Sequence, residues 1–425
     1  MRDETIAIHG GYEHDSTRAV AVPVYQTVAH EFESAEQAGE IFDLAAPGFH
    51  YNRINNPTND VLERRMTALE RGSAALSVAS GATAVRYAVR NLTRKGRNVV
   101  SAPQLYGATY ALFAHVLPEE GVEVRFGKDD RAESLERLVD ENTAAVFCES
   151  IGNPAGNVVD LEDVTAMAHG KGVPVIVDNT VPTPFLLKPF EHGADVVVHS
   201  LTKFVGGHGT TLGGIIVDGG RFDYSADPRR FPMMNEPEPA FHGVVYGAEF
   251  PETAFVVRCR TVGLRNGGGA LSPFNAFLLL QGLETLPVRL ERHAANARSV
   301  AEFLAGDPRV AWVSYLGFAD HPHHDLAARY LKGRVPSILT FGVRGGREAA
   351  IRLFDGVKLW KRLVNMGDAK SLVAHPASTT HRQLSAEELA LVGVRPEAIR
   401  LSVGLEHPDD LVEDLDQALA AAVAS

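Results

Sequence analysis

Cysteine is scarce in this chain of 425 residues, which contains only Cys148 and Cys259. Two cysteines in so long a chain do not make the disulfide framework of a small secreted protein, so we expect a reducing, cytoplasmic environment. Cys148 lies in the apolar run AAVFCES, which is typical of a buried small side chain. The N-terminal segment MRDETIAIHGG has no apolar stretch of the kind that a signal peptide contains.

Long apolar runs and an excess of basic residues are also missing. No stretch approaches the ~18 apolar residues that would indicate a membrane span. Lys and Arg number 41 against 53 Asp and Glu, which gives a net charge of -12. A surface this acidic argues against a nucleic-acid partner and against an anionic membrane surface. It still allows a small anionic substrate, because a local arginine can dominate one cleft.

What the sequence does contain is an alternation of short apolar runs with helical patterns from about residue 60 onward. Continuous apolar runs such as VPVIVDN and ADVVVHS are typical of strands buried on both faces of a parallel sheet. Their alternation with helices such as LEDVTAMAHGKG predicts a mostly parallel α/β sheet. A long helix is predicted from Ser272 to Gly306, with a kink near Pro287, followed by a smaller α/β unit with strands SILTFGV and AIRLSVG.

Two segments lack such periodicity. Residues 1–60 read as an extended arm that cannot bury itself, so we expect this arm to contact a neighbouring subunit. Residues 218–250 are rich in Pro and polar groups and predict a long insertion that shapes a site entrance. The predicted organisation is an arm over 1–60, a large domain over 61–286 and a small C-terminal domain over 287–425.

Polar residues follow several of the predicted strands, and ligands of open parallel sheets lie beyond such strand ends. The segment 80–83, Ser-Gly-Ala-Thr, opens a helix whose backbone N–H groups suit a phosphate, and Ser200 and Thr202 offer hydroxyl groups. Lys203, directly after Thr202, supplies an amine that could form a Schiff base with the aldehyde of a ligand. A ligand that carries both a phosphate and an aldehyde is pyridoxal 5′-phosphate (PLP).

The pyridine ring of PLP has two further needs. Asp178 ends a buried strand and can keep the ring nitrogen protonated, and Tyr106 can stack on the ring face. Each feature alone has an ordinary explanation, since a lysine after a strand is often solvated and an aspartate there often caps a helix. Their joint occurrence, one need at each strand end, favours the cofactor site over these separate explanations.

Four motifs then identify a family. SLTKFVGGHG, with DNT upstream, resembles the lysine motif of the Cys/Met-metabolism PLP-dependent enzymes. YNRINNPTND, SLVAHPASTTH and IRLSVGLEHPDDL resemble further signatures of that family, so that the resemblance covers nearly the whole chain. It implies the aspartate-aminotransferase-like fold, PLP fold type I, with a large domain and a smaller C-terminal α/β domain.

The resemblance also implies roles for residues. Lys203 would hold PLP as a Schiff base, and Tyr106 would stack on its ring and take part in catalysis. The other cofactor-binding residues would be Asp178, Gly81, Ala82, Ser200 and Thr202, with Tyr51 and Arg53 from the neighbouring subunit. Arg400 would bind the substrate carboxylate as a two-pronged pair, assisted by Ser371 and Asn153. No metal ion is implied.

Within the family, the segments AGEIFDLAAPGFHYNRINNPT and NMGDAKSLVAHPASTTHRQLS resemble the O-acetylhomoserine sulfhydrylase branch. That branch converts O-acetyl-L-homoserine and sulfide to L-homocysteine and acetate in methionine biosynthesis. The resemblance further implies a homotetramer built from dimers with shared active sites. O-succinylhomoserine sulfhydrylase, cystathionine γ-synthase and cystathionine γ-lyase remain alternatives within the family.

Two other classes of protein have weaker support. HPHHD at 321–325 offers histidines to a metal ion but lacks the spaced carboxylate or cysteine partners of zinc sites, so a polar loop is the simpler interpretation. A nucleotide-binding protein is disfavoured because the sequence has no Walker A motif and no G-x-G-x-x-G after a strand.

Overall fold

The computed structural model describes residues 1–152, 156–379, 382 and 395–423. Two β-sheets organise the described chain, one with seven strands and one with five. The strands of the first are β1 (Ala74–Val78), β2 (Asn98–Ser101), β3 (Glu123–Phe126), β4 (Thr143–Glu149), β5 (Val175–Asp178), β6 (Val196–Ser200) and β7 (Gly214–Asp218). Those of the second are β8 (Val310–Ser314), β9 (Ile338–Val343), β10 (Lys361–Arg362), β11 (Leu372–Ala374) and β12 (Ala398–Ser402).

The helices lie around and between these sheets. They are α1 (Asp3–His9), α2 (Ala35–Phe42), α3 (Pro57–Glu70), α4 (Gly81–Leu92), α5 (Gly107–Ala111), α6 (Leu117–Glu119), α7 (Ala132–Glu136), α8 (Leu161–Gly170), α9 (Thr183–Leu186), α10 (Pro232–Asn235), α11 (Tyr246–Glu249), α12 (Ala254–Arg258), α13 (Arg265–Gly267), α14 (Pro273–Glu284), α15 (Leu286–Gly306), α16 (His324–Leu331), α17 (Gly346–Gly356) and α18 (Pro408–Val423). Short 3₁₀ turns span Pro189–His192, Tyr224–Ala226 and Pro376–Ser378, and π-helical turns span Leu112–Val116 and Cys259–Leu264.

The seven-stranded sheet has the order β1-β7-β6-β5-β4-β2-β3. Only β7 runs against its neighbours, pairing antiparallel with both β1 and β6. The prediction of a mostly parallel sheet is therefore confirmed, although the sequence reading missed β7. One apolar cluster covers each face of the sheet, which is why strands such as β4 are buried throughout and apolar between their end residues.

The five-stranded sheet has the order β10-β11-β12-β9-β8 and is largely antiparallel, with only β10 and β11 parallel. Its core is formed with α15, α17 and α18. The predicted strands SILTFGV and AIRLSVG correspond to β9 and β12.

The predicted long helix is divided into α14 and α15 at Thr285. Pro287 lies in the first turn of α15. Backbone N–H groups in the first turn have no acceptor within the helix, so proline costs no hydrogen bond there, whereas inside a helix it would remove one. The N-terminal part of α15 packs in a core of the large sheet through Leu290, and its C-terminal part packs in the core of the small sheet through Val300. This helix therefore joins the two cores.

The N-terminal segment is only partly an extended arm. Ile6 and Ala7 of α1 are buried in the core of their own chain, and the guanidinium of the buried Arg65 donates hydrogen bonds to the carbonyls of Ala7 and Gly10 at 3.0 and 2.8 Å. Beyond these residues, the segment 13–34 is mostly irregular and largely exposed. The predicted domain boundaries and the contact with a neighbouring subunit stay predictions.

The insertion at 218–250 packs on the α4 face of the large sheet through buried residues such as Phe231, Met234 and Tyr246. Among the described residues, no helix is long and apolar enough to cross a membrane.

Candidate active site

A cavity of about 700 Å³ opens at the carboxyl ends of β4, β5 and β6. Its wall collects eight residues that the sequence predicted for the site. They are Gly81, Ala82, Tyr106, Asp178, Ser200, Thr202, Lys203 and Arg400. No residue of the 218–250 insertion lines this cavity within the described chain, and the role of the insertion at the site entrance stays a prediction.

One end of the cavity is formed by the N-terminus of α4. Ser80 caps this helix by accepting a hydrogen bond from the backbone N–H of Thr83 at 3.2 Å. A Cβ on Gly81 would lie 2.5 Å from the Cβ of Ser200, so only glycine allows β6 to approach the helix this closely. The N–H groups of a helix N-terminus beside the side chains of Ser200 and Thr202 suit a phosphate group.

Asp178 lines the cavity at the end of β5. Burial raises the pKa of its carboxyl, while hydrogen bonds from Thr180, including one from the backbone N–H at 3.0 Å, lower it. A cationic partner would offset the cost of burying this charge, and a protonated pyridine nitrogen is such a partner.

The Lys203 amine donates a hydrogen bond to Oδ1 of Asn365 at 2.7 Å. Burial, assisted by the nearby positive charge of Arg400, lowers the pKa of Lys203 to about 8. A larger fraction of this amine is therefore neutral near neutral pH than in an ordinary lysine, and the neutral form is the one that attacks an aldehyde or removes a proton from carbon.

Arg400 reaches the same cavity from β12 of the small sheet. Its side chain is buried, and Nη2 donates a hydrogen bond to the backbone carbonyl of Asn365 at 2.9 Å. Burial lowers the pKa of Arg400 to about 10. The cavity thus has a guanidinium for a carboxylate ligand on the side contributed by the small sheet, and an amine, a carboxylate and hydroxyls on the other side.

Tyr106 stands half-exposed in the cavity wall just before α5. Its backbone N–H donates to Oε1 of Glu149, the last residue of β4, at 2.5 Å. This contact fixes the chain at the point where the phenol ring enters the cavity.

A buried polar network lies behind the cavity. Oε1 of Glu70 is 2.6 Å from Nε2 of His199 and accepts a hydrogen bond from Nδ2 of Asn179 at 3.2 Å. Oδ1 of Asn179 in turn accepts from the Ser150 hydroxyl at 2.9 Å. Ser150, Asn179 and His199 each directly follow or precede a cavity residue in the chain, so the network fixes the spacing of three strand ends.

Of the two residues predicted to assist at the substrate, Ser371 does not line the cavity in the described structure. The Ser371 hydroxyl donates to Glu406 at 2.8 Å and accepts from the backbone N–H of Gly404 at 2.7 Å, and Ser371 is fully buried away from the cavity wall. Asn365 stands in the wall instead. Asn153 lies outside the described residues.

Tyr51 and Arg53 lie outside the cavity of their own chain. The guanidinium carbon of Arg53 is 5.4 Å from the centre of the Tyr51 ring, and Arg53 donates a hydrogen bond to the carbonyl of Arg265. Their predicted contact with the cofactor of a neighbouring subunit stays a prediction.

The sequence reading missed Glu149 and Asn365. Glu149 ends the apolar run TAAVFCE, so the strand-end argument that selected Asp178 could also have selected it. Asn365 lies in a loop between β10 and β11 with no periodic pattern, and nothing local in the sequence marks it.

The comparisons with known proteins agree with this geometry. A model of the Cys/Met metabolism PLP-dependent enzymes matches residues 4–420. The chain belongs to this family. A homocysteine synthase of Schizosaccharomyces pombe is 47% identical over 99% of this chain and 98% of its own length. An O-acetyl-L-homoserine sulfhydrylase of Thermus thermophilus is 49% identical over 99% of this chain and 100% of its own.

A solved structure has the same fold. A Campylobacter jejuni protein assigned as an O-acetylhomoserine (thiol)-lyase, which carries a pyridoxyl group on a lysine, superimposes with a TM-score of 0.95 at 43% identity. The match covers 99% of this chain and 100% of the other. The predicted PLP fold is thus confirmed, and the protein is a PLP-dependent enzyme of the Cys/Met metabolism family. The cavity residues described above fit this cofactor.

Proposed function

We propose that this enzyme replaces the acetoxy group of O-acetyl-L-homoserine with sulfide, giving L-homocysteine and acetate. The observation that carries the proposal is the single cavity in which Lys203, Asp178 and Ser200 of the large sheet face Arg400 of the small sheet. Such a cavity suits PLP on one side and an amino-acid carboxylate on the other. The names of the relatives from Thermus thermophilus and Schizosaccharomyces pombe support the choice of substrate.

The binding roles follow from this arrangement. The backbone N–H groups of Gly81 and Ala82 and the hydroxyls of Ser200 and Thr202 would hold the phosphate of PLP. Asp178 would accept a hydrogen bond from the ring nitrogen and keep it protonated. When bound, PLP supplies an electron sink that acidifies the α-proton of the attached amino acid.

The chemical steps belong to Lys203 and Arg400. Arg400 binds the substrate carboxylate and so fixes the amino acid relative to the lysine amine. Lys203 removes the α-proton, and a further proton leaves Cβ before the bond from Cγ to the acetoxy oxygen breaks. Sulfide then forms the new bond at Cγ, a proton returns to Cβ, and the same amine returns a proton to Cα. The net change is one C–O bond broken and one C–S bond formed, with acetate released.

We further propose a homotetramer, built from dimers in which Tyr51 and Arg53 of one subunit complete the phosphate site of the next. The position of both residues outside their own cavity supports this arrangement. We assign the enzyme to the cytoplasm, because both cysteines are buried free thiols, which suits a reducing compartment.

A steady-state comparison tests the function. O-acetyl- and O-succinyl-L-homoserine are each offered with sulfide or with L-cysteine, and the products are identified by mass spectrometry. We expect the highest kcat/KM for O-acetyl-L-homoserine with sulfide and homocysteine as the product. A preference for the succinyl ester or for cysteine as acceptor would assign the enzyme to another branch of the family.

A further inference from the structure

Three buried polar residues lie along one face of α15. Arg289, His293 and Asn296 are spaced four and three residues apart, so their side chains follow a single stripe of the helix. Their exposed fractions are 6%, 1% and 1%, and each donates hydrogen bonds to backbone carbonyls of other segments. Burying such groups costs free energy unless hydrogen bonds satisfy them, so these contacts explain the place of the stripe in the core.

The guanidinium of Arg289 holds the turn that carries Lys203. Nη1 donates to the carbonyl of Phe204 at 2.8 Å, and Nη2 donates to that of Val205 at 3.0 Å. Nη2 also donates to the carbonyl of Gly282 in the last turn of α14 at 2.6 Å. Carbonyls at the end of a helical turn lack a partner within it and favour a cation, so one guanidinium joins α14 and the lysine turn to α15.

Arg289 acts on backbone groups and not on an opposite charge. Among the described residues, its remaining hydrogen bond goes to the hydroxyl of Thr285 at 3.2 Å. Burial lowers the pKa of Arg289 to about 10. Gly207 has φ +68°, and a Cβ there would overlap Nη1 of Arg289, so glycine lets the chain pass directly against the guanidinium. The backbone next to Lys203 is thus held closely to α15.

The other end of the stripe holds the segment that follows Arg400. Nδ2 of Asn296 donates to the carbonyl of Gly404 at 2.9 Å, and Nδ1 of His293 donates to that of Val403 at 2.6 Å. Both carbonyls come directly after β12, the strand that carries Arg400. One helix therefore contacts the backbone beside the lysine and the backbone beside the arginine through different side chains.

We propose that α15 positions the two halves of the active site separately, with Arg289 placing the Lys203 amine and Asn296 placing the Arg400 guanidinium. Neither Arg289 nor Asn296 is among the described residues that line the cavity, so each acts through the backbone that it holds. The step that depends on Arg289 breaks the Cα–H bond of the bound amino acid and forms an N–H bond on Lys203, while the electron pair stays with the substrate. The inference rests on the proposed function in taking Lys203 as the base and Arg400 as the ligand of the carboxylate.

The test uses L-norvaline, which has an α-proton but no leaving group on Cγ. Exchange of its α-proton in D₂O is followed by NMR on the full-length holoenzyme over a range of norvaline concentrations. The exchange rate at saturation reports the placement of the Lys203 amine, and the half-saturating concentration reports the placement of the Arg400 guanidinium.

The two residues should affect different quantities. In Arg289→Met we expect the saturated exchange rate to fall by about tenfold or more, with the half-saturating concentration within about threefold of the wild type. Arg289→Lys keeps the charge but lacks the planar fork of donors, so we expect an intermediate rate. In Asn296→Ala we expect the half-saturating concentration to rise by about fivefold or more, with the saturated rate within about threefold of the wild type.

Arg298→Met is the matched control, because it makes the same chemical change on the exposed side of α15. The Arg298 side chain is 69% exposed and pairs with Glu302 at 2.9 Å. We expect both quantities to stay within about twofold of the wild type, since an exposed ion pair contributes little.

A second measurement does not depend on turnover. The full chain is freed of PLP, and the rate at which added PLP bonds to Lys203 is followed by absorbance. We expect this rate to fall by about tenfold or more in Arg289→Met and to stay within about threefold of the wild type in Asn296→Ala, because only the first change displaces the amine.

The inference and the proposed function can fail separately. If the wild type neither captures PLP nor exchanges the proton, the proposed function fails. If it does both, and Arg289→Met and Asn296→Ala change the same quantity or neither quantity, α15 has only a structural role and the inference is wrong. If Arg289→Met does not fold, the comparison of Arg289→Lys with Asn296→Ala decides by the same criterion.

Discussion

The buried Glu70–His199 pair behind the cavity allows a prediction about stability. Both residues are almost completely inaccessible, with exposures of 0% and 1%, and their side chains meet at 2.6 Å. Replacing Glu70 by leucine introduces an apolar side chain of similar size and removes the acceptor of the hydrogen bonds from His199 and Asn179. Asn179 retains its second acceptor, the carbonyl of Leu187 at 2.9 Å, so His199 suffers the larger loss.

The expected cost follows from what is left unpaired. Removing one partner of a buried hydrogen-bonded pair costs up to about 3 kcal/mol, because the other partner stays buried without its hydrogen bond. Glu70→Gln keeps an oxygen acceptor in the same place, so we expect it to cost only about 1–2 kcal/mol. In the double variant Glu70→Leu/His199→Leu no polar group of the pair remains, and we expect it to recover at least about 2 kcal/mol relative to Glu70→Leu.

Urea unfolding of the holoenzyme at a fixed protein and PLP concentration measures these differences, since bound cofactor and association both add to the apparent stability. The dissociation constant for PLP is measured in parallel. We expect it to rise in Glu70→Leu, because the network holds the strand ends that carry Asp178 and Ser200. A loss below about 1 kcal/mol in Glu70→Leu, or a double variant no more stable than the single one, would refute the reasoning.

Three further changes test other parts of the structure. Lys203→Ala should abolish turnover and the absorption band of lysine-bound PLP, and a variant that kept both would contradict the assignment. Arg400→Lys should raise KM for O-acetyl-L-homoserine by about tenfold or more with the PLP absorption band unchanged, because lysine cannot form the two-pronged pair. Burial lowers the pKa of His293 to about 4, below the ordinary value of 6.5, and its ring lies 2.6 Å from the carbonyl of Val403. Its contribution to stability should be complete above pH 6.5 and decline as the pH falls toward 4, and urea midpoints over this range should fall less steeply in His293→Gln.

The sequence predicted most of the large sheet and its strand ends, because those strands are buried on both faces and are therefore apolar throughout. Asp178, Ser200 and Lys203 directly follow or end such runs, so their meeting at one edge followed from the parallel arrangement of β5 and β6. The reversed strand β7 was missed, because its apolar side chains are only three, between a glycine and an aspartate.

The cavity residues that belong to the small sheet could not be predicted from local sequence patterns. Arg400 came from the resemblance to a family, and Asn365 lies in an irregular loop whose path depends on contacts distant in the chain, such as Gly367 with Ser402. Ser371 is six residues further along, and its hydroxyl forms hydrogen bonds with Glu406 and Gly404. Its role at the substrate stays a prediction. Which of several polar residues faces a cavity is decided by tertiary packing.

Because Lys203 and Arg400 come from different sheets, the distance between them limits the length of the amino acid that can contact both. The lysine is anchored to the seven-stranded sheet and the arginine to the five-stranded one, and the two sheets share α15 and the loop at Asn365 as connections. A ligand that engages both must span the gap between residues anchored to two different hydrophobic cores. Changes in the small sheet can therefore alter the length and shape of the accepted amino acid while the cofactor site stays as it is. A substitution in α15, far from any ligand, can change the distance between Lys203 and Arg400.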